Sequence, residues 1–378
     1  MKAKSIKGKS KQEIQTALEQ SIADGFKPTL AMVFLSARQD REAVCSILDK
    51  ENISVFGATT AGEFIDADFD RDSIVILLLD INPDNFKITF READYNTSRE
   101  VANSIAASGM NEFPNPGFIL AIAGRMVNAV EIINSLEDKV GTNAFIYGGL
   151  AGNTISGTEL FVFDNKKITN SGLIALIIDH DKINMTGFAT SGWQPIATFH
   201  MVTKSENNTI YTIDDEPAMD MIAQYLGISF DADDKNEKIY SDDARPIQLY
   251  RDNASSVLRE ITFFNSTTRT VNFAGPVPQG SKFRFSLPPD WDIVEKIKSD
   301  CLSIKEQQKE ADALIVFSCA SRLLSLGPMV KNEIDEIINT WECPVAGFFC
   351  FGEIGKYLGG KTEFHNNTCS IVVFGEKK

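Results

Sequence analysis

Histidine is almost missing from this chain, with three among 378 residues, at positions 180, 200 and 365. Histidine catalysis therefore has few places to sit, and a histidine-rich metal centre has none. Cysteine occurs six times, at 45, 301, 319, 343, 350 and 369, yet never as a C-x-x-C pair. Most of these thiols lie in apolar segments, which fits reduced, buried side chains better than a disulfide frame or structural zinc. No apolar run approaches the roughly 20 residues that cross a bilayer, and stretches such as 74–79 have strand length. The first ten residues are basic but lack the apolar core of a secretion signal, so the chain is expected in the cytoplasm. Basic residues are outnumbered 37 to 52, and the resulting formal charge of −15 disfavours nucleic acid and membrane insertion. A G-x-S-x-G nucleophile elbow is also lacking.

The length and the 43% hydrophobic content allow two or three domains, each with its own core. What stands out is a glycine-turn signature, G-x-x-x-x-G-E, at 57–63 and again at 347–353. Around it three stretches share one order of elements. The first has a helix at 11–23, a strand at 30–35, a helix at 40–48, a strand at 53–56, the glycine turn and a return strand at 73–79. The second has a helix at 98–107, a strand at 118–122, a helix at 128–136, a strand at 144–147, a turn at 148–153 and a return strand at 173–178. The third has a helix at 293–309, a strand at 313–317, a helix at 330–340, a strand at 345–348, the second signature and a closing strand at 370–374.

Ile14, Ala17, Leu18 and Ile22 recur at helical spacing, as do Ile334, Ile337 and Ile338. The strands are continuous apolar runs, the pattern of strands covered on both faces. The expected fold is therefore α/β: mixed, largely parallel sheets covered by helices, built from three repeated α-β-α-β-turn-β units. Residues 186–289 differ, with short alternating segments between proline and glycine that read as antiparallel hairpins. The acidic, aperiodic stretch 231–243 is the linker candidate.

Each first strand ends in small residues followed by arginine, giving Arg38, Arg125 and Arg322. The crevice beyond strand carboxyl ends is the usual ligand position in open α/β sheets, and arginine there suits a carboxylate or phosphate. Helix capping or surface ion pairing is the competing role. The glutamate after each second glycine excludes a phosphate-binding loop, which needs lysine and then Ser or Thr. Glu63 and Glu353 instead suit an ammonium group, or they accept backbone N–H bonds inside their own turns. Thr59 and Thr60 face the same choice between ligand and turn.

These motifs resemble the FIST family of bacterial sensory modules. The resemblance is carried by 57–64, by Gly148 to Gly152 in the second turn, by Gly192-Trp193-Gln194-Pro195-Ile196 and by 213–219. In the C-terminal part it is carried by Ser318-Cys319-Ala320-Ser321-Arg322, by 347–355 and by Phe364-His365-Asn366-Asn367-Thr368. It implies a FIST N-terminal domain over 1–230 and a FIST C-terminal domain over 231–378. It further implies a cytosolic, non-enzymatic sensor of small molecules such as amino acids, signalling through a separate histidine kinase, diguanylate cyclase or chemotaxis receptor. A haem-binding nitric oxide sensor is the alternative it raises. One departure is Phe348, Phe349 and Phe351 where the family often has tyrosine.

The expected ligand-binding residues are Thr59, Thr60, Gly62, Glu63, Arg125, Gly152, Asn153, Trp193, Cys319, Arg322, Phe349, Phe351 and Glu353. The first and last turns are expected to face each other across one cleft. No resident cofactor or metal is expected. If haem binds, His200 is the axial candidate, His180 and His365 reading as turn histidines. If the protein is an enzyme on small metabolites, Cys319 is the nucleophile, with a guanidinium nearby to favour thiolate. Trp193 is either a lid or a packing anchor.

Overall fold

The computed structural model describes every residue except 67, 125–126, 155–159, 231–237, 241–244, 252–253 and 378, and leaves out the side chains of 238–240 and 254. The linker candidate at 231–243 thus lies outside the described residues apart from a short strand, Lys238–Tyr240.

Three six-stranded mixed sheets form the body. The first runs Lys2–Gly8, Ile74–Asp80, Leu30–Leu35, Ser54–Thr59, Val162–Phe163, Ile168–Thr169. The second runs Phe86–Glu92, Gly172–Asp179, Pro116–Ala123, Ile146–Leu150, Glu353–Gly355, Glu363–His365. The third runs Ile183–Thr190, Cys369–Glu376, Ala313–Cys319, Val345–Cys350, Glu63–Ile65, Asp68–Asp70. In each sheet the two central strands pair in parallel, with registers Leu30↔Ser54, Phe118↔Ile146 and Leu314↔Val345. All the other pairings are antiparallel, so the sheets are less parallel than the apolar runs suggested. The leading strands Lys2–Gly8, Phe86–Glu92 and Ile183–Thr190 are additions that the sequence reading passed over.

The edge hairpins are exchanged. The hairpin after Ser54–Thr59 joins the third sheet against Val345–Cys350, and the one after Val345–Cys350 joins the second against Ile146–Leu150. The strand pair after Ile146–Leu150 joins the first sheet against Ser54–Thr59. The exchange closes on itself, each sheet lending one edge and borrowing another.

Strand alternation explains the cores. Leu30, Met32 and Phe34 point into a central cluster shared by all three sheets, which also holds Tyr147, Phe317 and Phe348. Ala31, Val33 and Leu35 point the other way, toward helices Lys11–Ile22 and Arg41–Lys50. The second sheet is covered by Ser98–Glu112 and Ala129–Val140, and the third by Asp292–Lys305 and Met329–Trp341. With both faces covered, the central strands have little or no solvent side, which is why apolar residues dominate them. The helices start at local caps: Ser10, Asp40 and Asn128 accept from the backbone N–H three residues on.

A nine-stranded antiparallel sheet, curled into a half-barrel, is formed by residues 194–287. Its core holds helix Ala218–Leu226 against the sheet through Val202, Ile210, Ile222 and Phe273. Among the described residues there are eight α-helices, and none is long and apolar enough to cross a membrane.

Candidate functional site

The glycine turns sit where the three sheets exchange edges. Ala61 N–H donates to Phe349 O at 2.9 Å, and Phe349 N–H returns to Gly62 O at 2.8 Å. Gly152 N–H donates to Thr59 O and Leu150 N–H to Gly352 O, both at 2.8 Å. The turns at 57–63 and 347–353 therefore do meet, but they bond to each other directly, with the turn at 148–152 joined to both. Glycine is needed for this approach: a Cβ on Gly152 would lie 2.7 Å from Ala61 N and 2.9 Å from Phe349 O. On Gly57 it would strike the ring of Phe163, and on Gly347 that of Phe64. Both aromatic side chains belong to borrowed hairpins.

The two signature glutamates occupy matching cages. Glu63 accepts from Ser73 N–H at 3.0 Å and Ser73 Oγ at 2.9 Å, while Thr60 Oγ1 donates to its other oxygen. Glu353 accepts from Thr368 N–H at 3.1 Å and Thr368 Oγ1 at 2.9 Å, with Cys350 Sγ 3.2 Å from its other oxygen. Both glutamates are 0% exposed. Burial pushes Glu63 up to about 7 and Glu353 up to about 8. Each carboxylate is thus held inside the protein by one side chain of its own turn, Thr60 or Cys350, and by a residue outside it, Ser73 or Thr368, so the backbone N–H donors are not those of the turn that was expected to supply them.

Arg322 is likewise internal. It is 0% exposed and ion-paired to the equally buried Glu333, and its Nη1 donates to the carbonyls of Ser191 and Asn367. The ligand fork expected from the strand-end position is thus committed to helix Met329–Trp341. Arg38 pairs with Asp72 at 3.2 Å on the surface, and Arg125 lies outside the described residues.

Thr59 is buried and exchanges bonds with the backbone of Phe161. Phe349 packs against Phe64 and Phe69 in the third sheet's core, whereas Phe351 is partly exposed. Asn153 is half-buried at the rim of its turn. Trp193 is buried, with its indole nitrogen lacking a partner.

Cys319 sits opposite Cys350 on the neighbouring strand, and both thiols are near Glu353. Burial, then the Glu353 charge, pushes the Cys319 thiol well above its ordinary value. The thiolate that Arg322 was expected to favour is therefore disfavoured, since the guanidinium is spent on Glu333. Among the described residues no group of three His, Cys, Asp or Glu side chains could hold a metal ion.

His200 donates through Nδ1–H to Asp214 Oδ2 at 2.7 Å, an orientation suited to a ligating imidazole. Its free Nε2, however, is buried, and the rings of Tyr225, Phe283 and Phe285 pack 5.6–5.8 Å from the imidazole centre. A haem face does not fit between those rings, so His200 does not suit the axial role.

An open cavity of about 390 Å³ lies elsewhere, lined by Thr142, Asn143, Ser255 and residues of the 357–365 segment, including Tyr357, Lys361, Glu363 and His365. None of the expected ligand residues lines it. His365 is 1% exposed, its Nε2 lies 3.1 Å from Gly355 O, and its Nδ1 has no partner. Burial, then the Arg259 charge, pulls the imidazole down to about 3. Tyr357 packs edge-on against it, with ring centres 4.7 Å apart. Glu363 is held by Arg251 at 2.5 Å. Sequence reasoning missed this cavity because its polar residues come from three segments far apart in sequence. The F-H-N-N-T string was the one available signal.

Comparison with known proteins supplies the class: two sensory domains of signal transduction account for most of the chain. The FIST N domain matches residues 29–216 and the FIST C domain matches residues 218–356. The chain belongs to the FIST family. No curated protein matches it.

Proposed function

We propose that this protein is a non-enzymatic, cytoplasmic sensor that binds a small charged or polar metabolite, with amino acids the leading candidates. The reading rests first on the FIST N and FIST C matches across most of the chain. What supports a ligand position is the polar cavity, walled by Thr142 and Asn143 from the N-terminal part and by Ser255 and the 357–365 segment from the C-terminal part. A ligand held there touches both parts, so binding shifts their relative disposition by its differential affinity for the two arrangements. A separate partner, a histidine kinase, diguanylate cyclase or chemotaxis receptor, reads that shift. The division near residue 230 and the descent of the body from three related units belong to the same proposal, the latter supported by the shared strand order.

Thermal-shift screening against amino acids, related carboxylates and haemin tests the reading, because a ligand that binds only the folded state raises the melting temperature. Stabilisation by a small metabolite, lost on Tyr357→Ala, is the expected result. A chain that no metabolite stabilises, or one stabilised unchanged in the Tyr357 variant, refutes the reading or the site respectively.

A further inference from the structure

The cavity contains one group whose hydrogen-bonding sense is fixed by the fold. His365 Nε2 lies 3.1 Å from the carbonyl oxygen of Gly355. A carbonyl can only accept, so the proton of the neutral ring is on Nε2 and Nδ1 presents a lone pair. That lone pair is buried and has no partner among the described residues, on a residue that lines the cavity. Leaving a buried acceptor unmade is costly, and such a group in a ligand pocket gives directional selectivity when a ligand satisfies it.

Resting on the sensory reading of this cavity, we infer that its ligand is recognised through an N–H or O–H group donated to His365 Nδ1, so that His365 is the specificity-determining residue and purely acceptor anions are rejected. Among the charged groups of the wall, Glu363 agrees with this sense although Arg251 engages it, whereas Lys361 is an exposed donor at the rim, so selection against anions falls to His365. Desolvation and the neighbouring Arg259 charge keep the imidazole neutral, so it does not turn into a second donor. The ring is held in place by its bond to Gly355 and by Tyr357 packed against it, which fixes the direction in which Nδ1 can accept.

The chain has only three histidines, so nitrogen-15 spectra of histidine-labelled full-length protein can be assigned with His180 and His200 variants. At pH 8 the free protein is expected to show an unprotonated Nδ1 and a protonated Nε2 at His365. Ethylammonium, acetamide and ethylene glycol, one for each kind of donor, should move the Nδ1 resonance and so tell which donor is preferred. Propionate and sulfate, which carry only acceptors at that pH, should leave it in place. For the best metabolite from the thermal screen, His365→Gln, which can keep the tie to Gly355 but presents no acceptor at the Nδ1 position, should bind roughly tenfold to hundredfold more weakly. His365→Asn, which can place an oxygen there, should recover part of that loss.

A protonated Nδ1 in the free protein overturns the inference, as does equal movement by propionate or sulfate. If metabolites stabilise the protein but Nδ1 ignores all of them, the inference falls and the sensory reading stands. If no compound stabilises the chain, both fall together.

Discussion

Replacing Glu63 by glutamine should stabilise the protein, and by more at alkaline pH than in mild acid. The carboxyl is buried against Thr60 and Ser73, and burial raises it from 4.5 to about 7. Below about pH 4.5 the group is protonated in both folded and unfolded chains, and its stabilising contribution is complete. As pH rises toward 7 the unfolded chain releases the proton while the folded chain holds it, so stability falls until the folded group ionises. At ~1.4 kcal/mol per pH unit, the full loss is roughly 3 kcal/mol, of which about 2 kcal/mol falls between pH 5.5 and 8.5. Glutamine is neutral throughout; its oxygen can accept from Ser73 and its amide can donate to Thr60, so the cage survives. The assay is urea unfolding of both proteins at pH 5.5 and 8.5, both above the pI of about 4.8, where association would interfere. Glu353 and Glu260, raised to about 8 and about 7, titrate in the same window but are common to both proteins and cancel. The stability difference between variant and wild type should grow by about 2 kcal/mol toward high pH. A difference that is constant with pH, or that shrinks, refutes the reasoning.

Arg322→Met should cost about 3–5 kcal/mol, because Glu333 is left buried without its cation, and adding Glu333→Met should recover much of it; chemical denaturation of the single and double variants measures both. Gly152→Ala should destabilise more than an ordinary exposed Gly→Ala change, since its Cβ meets backbone atoms of two other turns, and the yield and melting temperature of the folded variant report it. Under native conditions a thiol reagent should modify Cys343 first, the other five cysteines being buried, and Cys319→Ser should leave ligand stabilisation intact; rapid labelling of Cys319 would revive the nucleophile. The purified protein should show no Soret band after haemin is added and removed, given the rings packed around His200.

The parts of the fold that the sequence made legible are those with local signatures. The helix starting at Lys11 and the strand Leu30–Leu35 fall where periodicity and apolar runs put them, because burial on one or two faces writes itself directly into residue order. Lys2–Gly8 escaped notice since it is an amphipathic edge with lysines, legible only once its partner Ile74–Asp80 is known. The glycine signature was located correctly and its physical meaning was not. A glycine admits a close approach by anything, and the sequence does not say whether the visitor is a ligand or another segment of backbone. Arg322 shows the same limit: nothing at 322 announces that Glu333, a turn and a helix away, will face it in the dark of the core. The cavity depends on residues 142, 255 and 365 coming together, an accident of topology that no local window contains.

The exchanged edges have a consequence for how the chain comes off the ribosome. The third sheet borrows residues 63–70 and the second borrows 353–365, so the earliest-made segment waits for the latest before either sheet has both its borders. Pairings this distant in sequence slow folding and keep unpaired strand borders exposed meanwhile. Residues on the two sides of position 217, where the two family matches meet, therefore complete each other's sheets. Fragments cut near residue 230 should be insoluble apart and should complement each other only when made together, and evolution could lose or trade one half of this protein only by rebuilding the borders of the other.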